Sequence, residues 1–183
     1  MSFVIKHRDA VILLLRGFFR TNHAKESLKV LHQSQITGWE KWWQIEFGIY
    51  LAKSKKVAHW THEHRVFHPS KIGHRRKSSL VDIGIQFKYI EPQKLFALEL
   101  KQNINAKKCI DAMALDMGKV LRYENGSDRS PSVYRFTYVG IVPSCESDDE
   151  IIELCEECIN DNYPDGEGVK ILRLGTYFKM IVA

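Results

Sequence analysis

"SLVDIGIQFKYIEPQKLFALELKQ", residues 79–102, holds two strand-forming runs around a break. Residues 79–90 and 94–101 are rich in Val, Ile, Leu, Phe and Tyr, and Glu91–Pro92–Gln93 supplies the turn between them. The pattern predicts an antiparallel hairpin whose register sets Asp82 opposite Glu99. Side chains alternate faces along a strand, so Glu99 and Lys101 share one face while Leu98 and Leu100 take the other. Two carboxylates side by side on adjacent strands repel, and a divalent cation offsets that repulsion directly. Mg²⁺ prefers hard oxygen ligands and commonly takes one or two carboxylates, with water and phosphate completing its shell. An ammonium at Lys101 can hold a water or neutralise charge developing on a phosphate. Metal, water and cation together suit phosphodiester hydrolysis.

Around this hairpin the elements can be read by period. A helix is predicted near 8–20. A stronger one follows from Thr37 to Ser54, opened by a T-x-x-E capping box of Thr37 and Glu40. "VAHWTHEHRVF", 57–67, alternates as a strand. Beyond the hairpin, Ile110, Met113, Ala114, Met117, Val120 and Leu121 recur at helical spacing. "SVYRFTYVGIV", 132–142, is a long strand pattern. Ser147 and Glu150 form a second capping box, opening an acidic helix that ends near Asn160, and a hairpin around Gly175 closes the chain. This mixing predicts a single α/β domain over residues 1–183, a mixed β-sheet flanked by helices. Its core spans about 38–142 in the order αβββαβ, with an N-terminal helix and a C-terminal helix and hairpin as additions.

Asp82, followed seventeen residues on by Glu99-Leu100-Lys101, resembles the D…(D/E)-x-K signature of the PD-(D/E)xK nuclease superfamily. That superfamily includes restriction endonucleases, Holliday-junction resolvases, lambda-type exonucleases and transposon-end nucleases. Its helix–strand–strand–strand–helix–strand core is similar to the order read over 38–142. The resemblance implies a restriction-endonuclease-like fold and an Mg²⁺-dependent endodeoxyribonuclease, with Mn²⁺ as a substitute ion. Residue by residue, it implies that Asp82 and Glu99 bind the metal, the Leu100 carbonyl adds a ligand, Lys101 is the catalytic lysine, and Glu46 in "WWQIEF" is an accessory acid. Val81 stands where the nominal motif has proline. On the next helix Asp116, Lys119 and Tyr123 form a polar stripe, loosely similar to residues that some members turn toward the scissile phosphate. These three, with Gln102, Arg75, Arg76 and Lys77, are the expected substrate contacts. The alternative is a nuclease-like module without the chemistry, binding nucleic acid or a protein partner.

Charge is unevenly spread. The net charge is +5, yet residues 145–167 hold ten acids and no Lys or Arg. Residues 53–77 hold eight bases and one acid, Glu63, which favours a polyanionic partner such as DNA. The acidic helix is expected to lie away from DNA and to suit a protein partner, and homodimers are expected where both strands are cut. Four cysteines in 183 residues are too few for a disulfide scaffold. Cys155 and Cys158 form a CxxC without a second ligand pair, so they read as reduced, buried thiols rather than a zinc site. The apolar run "AVILLL" is too short for a signal core or a membrane span, so a cytoplasmic protein with no membrane partner is expected. Motifs for NTP, dinucleotide or serine-hydrolase chemistry are missing.

Overall fold

Ile83, Ile85, Phe96 and Leu98 lock the hairpin in the expected register. In the computed structural model, which describes residues 7–67, 78–90, 94–124, 133–159 and 169–183, β2 (Ser78–Phe87) runs antiparallel to β3 (Leu95–Gln102). Here β1 denotes Val57–Phe67, which pairs with the other side of β2. Ile83 faces Leu98 and Ile85 faces Phe96, so the next position brings Asp82 level with Glu99. A one-residue slip would have turned every core side chain outward, which is why the register was readable.

The remaining elements complete a six-stranded mixed sheet in the order β1-β2-β3-β4-β6-β5. Strand β4 (Val133–Pro143) is parallel to β3, and the hairpin of β5 (Lys170–Leu174) and β6 (Phe178–Val182) adds antiparallel to β4. A parallel neighbour requires a long crossover, and α4 (Ala106–Glu124) supplies it. The other helices are α1 (His7–Phe19), α2 (Asn22–Gln33), α3 (Glu40–Lys53) and α5 (Asp148–Ile159).

The helices divide between the two faces. Val11, Leu14, Leu15 and Phe18 of α1, Leu28 of α2, and Trp43, Phe47 and Leu51 of α3 pack with Ile83, Phe96, Leu98 and Leu100 in one cluster. All of the "AVILLL" run except Leu13 is therefore core. On the opposite face Cys109, Ile110, Met113 and Met117 of α4 and Ile151 and Cys155 of α5 pack with Tyr138 and Val142 of β4. Phe96, Leu98 and Leu100 point one way and Glu99 and Lys101 the other, as the alternation required.

One helix, α2, has no counterpart in the sequence reading. Its stretch "NHAKESLKVLHQ" is mostly polar, with only Ala24 and Leu28 buried, and its start is set by a single side chain. Thr21 Oγ1 accepts from the Ala24 backbone N–H at 3.2 Å. The expected box at Ser147 and Glu150 forms in both directions, at 3.0 and 3.3 Å. The box expected at Thr37 and Glu40 does not: Trp39 is the residue before α3 and no side chain caps the helix. All four cysteines are free, and burial pushes the Cys155 thiol up to about 12, so it is inert at neutral pH. Cys158 is only partly buried and donates to Asp111 Oδ1 at 3.5 Å. Among the described residues no helix is long and apolar enough to cross a membrane.

Glycine sets how closely α3 lies on the sheet. A Cβ on Gly48 would stand 2.5 Å from the Trp60 indole of β1, a rigid ring already wedged between helix and strand. Gly48→Ala is expected to lower unfolding free energy by about 1–3 kcal/mol through overpacking, as measured by urea denaturation. An unchanged midpoint would mean that helix and strand part without loss.

Candidate active site

The site forms where β2 and β3 stop pairing. Backbone pairing of β2 with β3 extends to Ile83 and Leu98, while β3 stays paired with β4 as far as Gln102. Past the last shared rung, Asp82 Oδ2 accepts the Leu100 backbone N–H at 2.7 Å. A side chain thus replaces the missing strand partner, and the Asp82 carboxylate is fixed beside Glu99. Burial, then the negative charge of Asp82, push the Glu99 carboxyl up to about 8, against the lowering effect of Lys101. Folding therefore favours the neutral form of Glu99, which eases its repulsion with Asp82.

Lys101 stands one pleat further along the same face. Its ammonium lies 2.7 Å from Asp116 Oδ2 of α4 and 3.9 Å from Glu99 Oε2. Burial alone would lower its pKa, but hydrogen bonding and charge from Asp116, with Glu40 and Glu99, raise it overall. Lys101 is a fixed cation here, not a proton acceptor.

A further carboxylate reaches the cluster from the other face of the sheet, and it is Glu40 rather than the expected Glu46. Glu40 opens α3, and its Oε2 accepts the Gln102 backbone N–H at 3.3 Å. Burial raises its pKa, Lys101 opposes that and Asp82 adds to it, so all three groups feel one another. Glu46 is turned elsewhere: its Oε2 lies 3.1 Å from His23 Nε2 of α2. The reason is helical phase, because six residues carry Glu46 about 240° around α3 from Glu40. Only the long-range approach of β3 distinguishes Glu40 from an ordinary cap residue, so nothing local in the sequence marked it.

The expected substrate contacts separate. Gln102 is a strut, since its Oε1 accepts the Gly38 backbone N–H at 3.1 Å and ties β3 to the turn before α3. Asp116 is taken by Lys101. The side chains of Lys119 and Tyr123, and all of Arg75, Arg76 and Lys77, lie outside the described residues. Leu100 buries its side chain in the core and gives its backbone N–H to Asp82. Lys53, Lys55 and Lys56 adjoin the Val57–Phe87 pair and Arg65 lies opposite Leu80, whereas the other four bases of 53–77 lie outside the described residues.

Glu63 would add another carboxylate to the pair, because the β1–β2 register puts it level with Asp82. The backbone prevents this. Glu63 adopts a φ of 50°, a left-handed conformation that non-glycine residues rarely take. Its carboxylate instead meets Lys41 of α3 at 2.7 Å.

No family model, curated protein or solved structure matches the chain significantly. The fit of a metal must therefore rest on the donor set itself. Among the described residues no group of three or more His, Cys, Asp and Glu is arranged as a ready ligand cluster. The Asp82–Glu99 pair does offer hard oxygen donors side by side, a set that fits Mg²⁺ or Mn²⁺. It does not suit soft metals.

The raised Glu99 pKa has a stability consequence. Folding favours its neutral form, so the contribution is full below the ordinary value of 4.5 and is lost as pH rises toward about 8. In EDTA buffer, wild-type stability should decline across that window. Glu99→Gln should flatten the decline and exceed wild type at pH 8 by roughly 2–4 kcal/mol. Identical pH profiles by chemical denaturation would show that folding does not favour neutral Glu99.

Proposed function

We propose that the chain is a metal-dependent DNA nuclease of the PD-(D/E)xK type. The observation that carries this reading is the adjacent carboxyl pair of Asp82 and Glu99 at the end of β3, with the Lys101 cation one pleat away. The order α3-β1-β2-β3-α4-β4 supports it as well, being the αβββαβ order of the superfamily. On this reading the fold is restriction-endonuclease-like.

Asp82 and Glu99 would hold Mg²⁺ or Mn²⁺, with the Leu100 backbone carbonyl as a further ligand. When bound, the ion supplies Lewis-acid polarisation of the phosphate and a more acidic water. The chain's own residues do the rest. Lys101, kept protonated, donates hydrogen bonds to the attacking water or to a phosphate oxygen and opposes the charge that develops there. Its raised pKa argues against a general-base role. Glu40, replacing Glu46 as the accessory acid, takes the backbone N–H of Gln102 and adds negative charge on the core-helix side. The basic segment between Phe67 and Ser78 supplies phosphate contacts that position without reading sequence. DNA is the partner, the acidic helix α5 faces away from it, and a dimer would cut both strands.

The test is cleavage of labelled linear, nicked, branched and single-stranded DNAs with Mg²⁺ or Mn²⁺. Lys101→Ala and Asp82→Asn should each lower the rate at least about 100-fold, with DNA affinity held within about threefold. Glu40→Ala should lower it about tenfold or more while Glu46→Ala stays within about twofold. Full activity in Lys101→Ala would sink the assignment, and equal loss in the two glutamate variants would remove Glu40 from the site.

A further inference from the structure

Lys101 has two acidic neighbours and goes to one of them. A lysine ammonium is a compact charge on a flexible stem and can settle on any carboxylate in reach. Asp82 and Glu99 set two carboxyls side by side on this face of the sheet, and Lys101 is attached one pleat from them. Left to itself it would be a tethered counter-ion, present at an effective concentration that a dissolved cation must overcome. Its distances say otherwise: 2.7 Å to Asp116 and 3.9 Å to Glu99. The shorter is a charge-assisted hydrogen bond and the longer is not a hydrogen bond at all.

Asp116 is placed to do this by α4. Met113 and Met117, on either side of it in sequence, are buried against β4. The helix cannot roll to carry Asp116 away without exposing them. Its side chain is 14% exposed and that of Lys101 20%, so the pair sits largely out of water, where such a contact is strongest.

We infer that Asp116 is a positioning residue for Lys101, holding its ammonium off the Asp82–Glu99 pair so that those oxygens remain available to a divalent cation. The lysine keeps further N–H donors for water or phosphate, since an ammonium has three. The use made of the freed oxygens rests on the nuclease reading, whereas the Lys101–Asp116 geometry does not.

Two measurements test this without relying on cleavage. The first is Mn²⁺ calorimetry on wild type, Asp116→Asn, Lys101→Ala and the double variant. If Asp116 acts through Lys101, Asp116→Asn weakens Mn²⁺ about tenfold in the wild-type background and no more than about two- to threefold in the Lys101→Ala background. Equal losses in both backgrounds mark a charge acting only through its field, and they overturn the inference. The second is the ¹⁵N-resolved ammonium resonance of Lys101 in metal-free protein. It should be protected from exchange in wild type and in Glu99→Gln, lost in Asp116→Asn and regained in Asp116→Glu. A resonance that survives Asp116→Asn overturns the inference too. Protein that binds Mn²⁺ with this coupling but cleaves no DNA would remove the nuclease reading and leave the role of Asp116 standing. Should wild type bind no Mn²⁺, the metal reading falls and the ammonium spectrum alone decides on Asp116.

Discussion

Two carboxyls pressed together where β2 and β3 part company are the constraint around which the rest of the site is arranged. Asp82 cannot leave, because its oxygen stands in for the strand partner that Leu100 has lost. Glu99 cannot leave either, because Leu98 and Leu100 on both sides of it are sunk in the core. The backbone therefore imposes a repulsive contact, and that contact, with burial, favours the neutral form of Glu99. Nearby groups follow from the same constraint. Lys101 counters the charge, Asp116 restrains Lys101, and a strained φ at Glu63 keeps one more acid out.

The sheet is what makes this assembly rigid. Its two faces carry separate hydrophobic clusters, one under α1, α2 and α3 and the other under α4 and α5. A group from each side meets at the end of β3: Glu40 from the first turn of α3 and Asp116 from the middle of α4. Residues fixed on helices and strands hold position more closely than residues on loops. Gln102 strengthens the join, since its backbone binds Glu40 and its side chain binds the Gly38 N–H. That helps to explain why a glutamine directly after the motif lysine is structural here.

Most of the strand arrangement could be read in advance because it follows from period-two alternation. The register of the central hairpin and the two faces of β3 trace to where Ile83, Phe96, Leu98 and Leu100 must go. Helix α2 escaped notice because its apolar stripe is thin and its start depends on one threonine. The site was half legible. Asp82, Glu99 and Lys101 declare themselves through spacing in one hairpin. Glu40 does not, because its proximity to Gln102, 62 residues away, is a product of tertiary packing. A T-x-x-E pattern at a helix start has an adequate local explanation, and that explanation concealed the long-range one. Glu46 was the more visible glutamate because it sits among aromatics, yet phase along α3 carries it to His23.

The charge pattern places a condition on the proposed chemistry. The chain has a net charge of +5, yet the end of β3 gathers Glu40, Asp82, Glu99 and Asp116 around Lys101. A polyanion would be repelled from that spot. Ionised, these groups sum to about −3, so a divalent cation in the Asp82–Glu99 pair would offset most of the repulsion. On the nuclease reading, metal and DNA must favour each other's binding, and linkage requires that the favour be equal in both directions. Asp116 belongs to this argument as well. On that reading, Asp116 holds Lys101 off the pair, leaving its oxygens to a cation, and keeps the ammonium close enough to touch the phosphate that the cation would bring in.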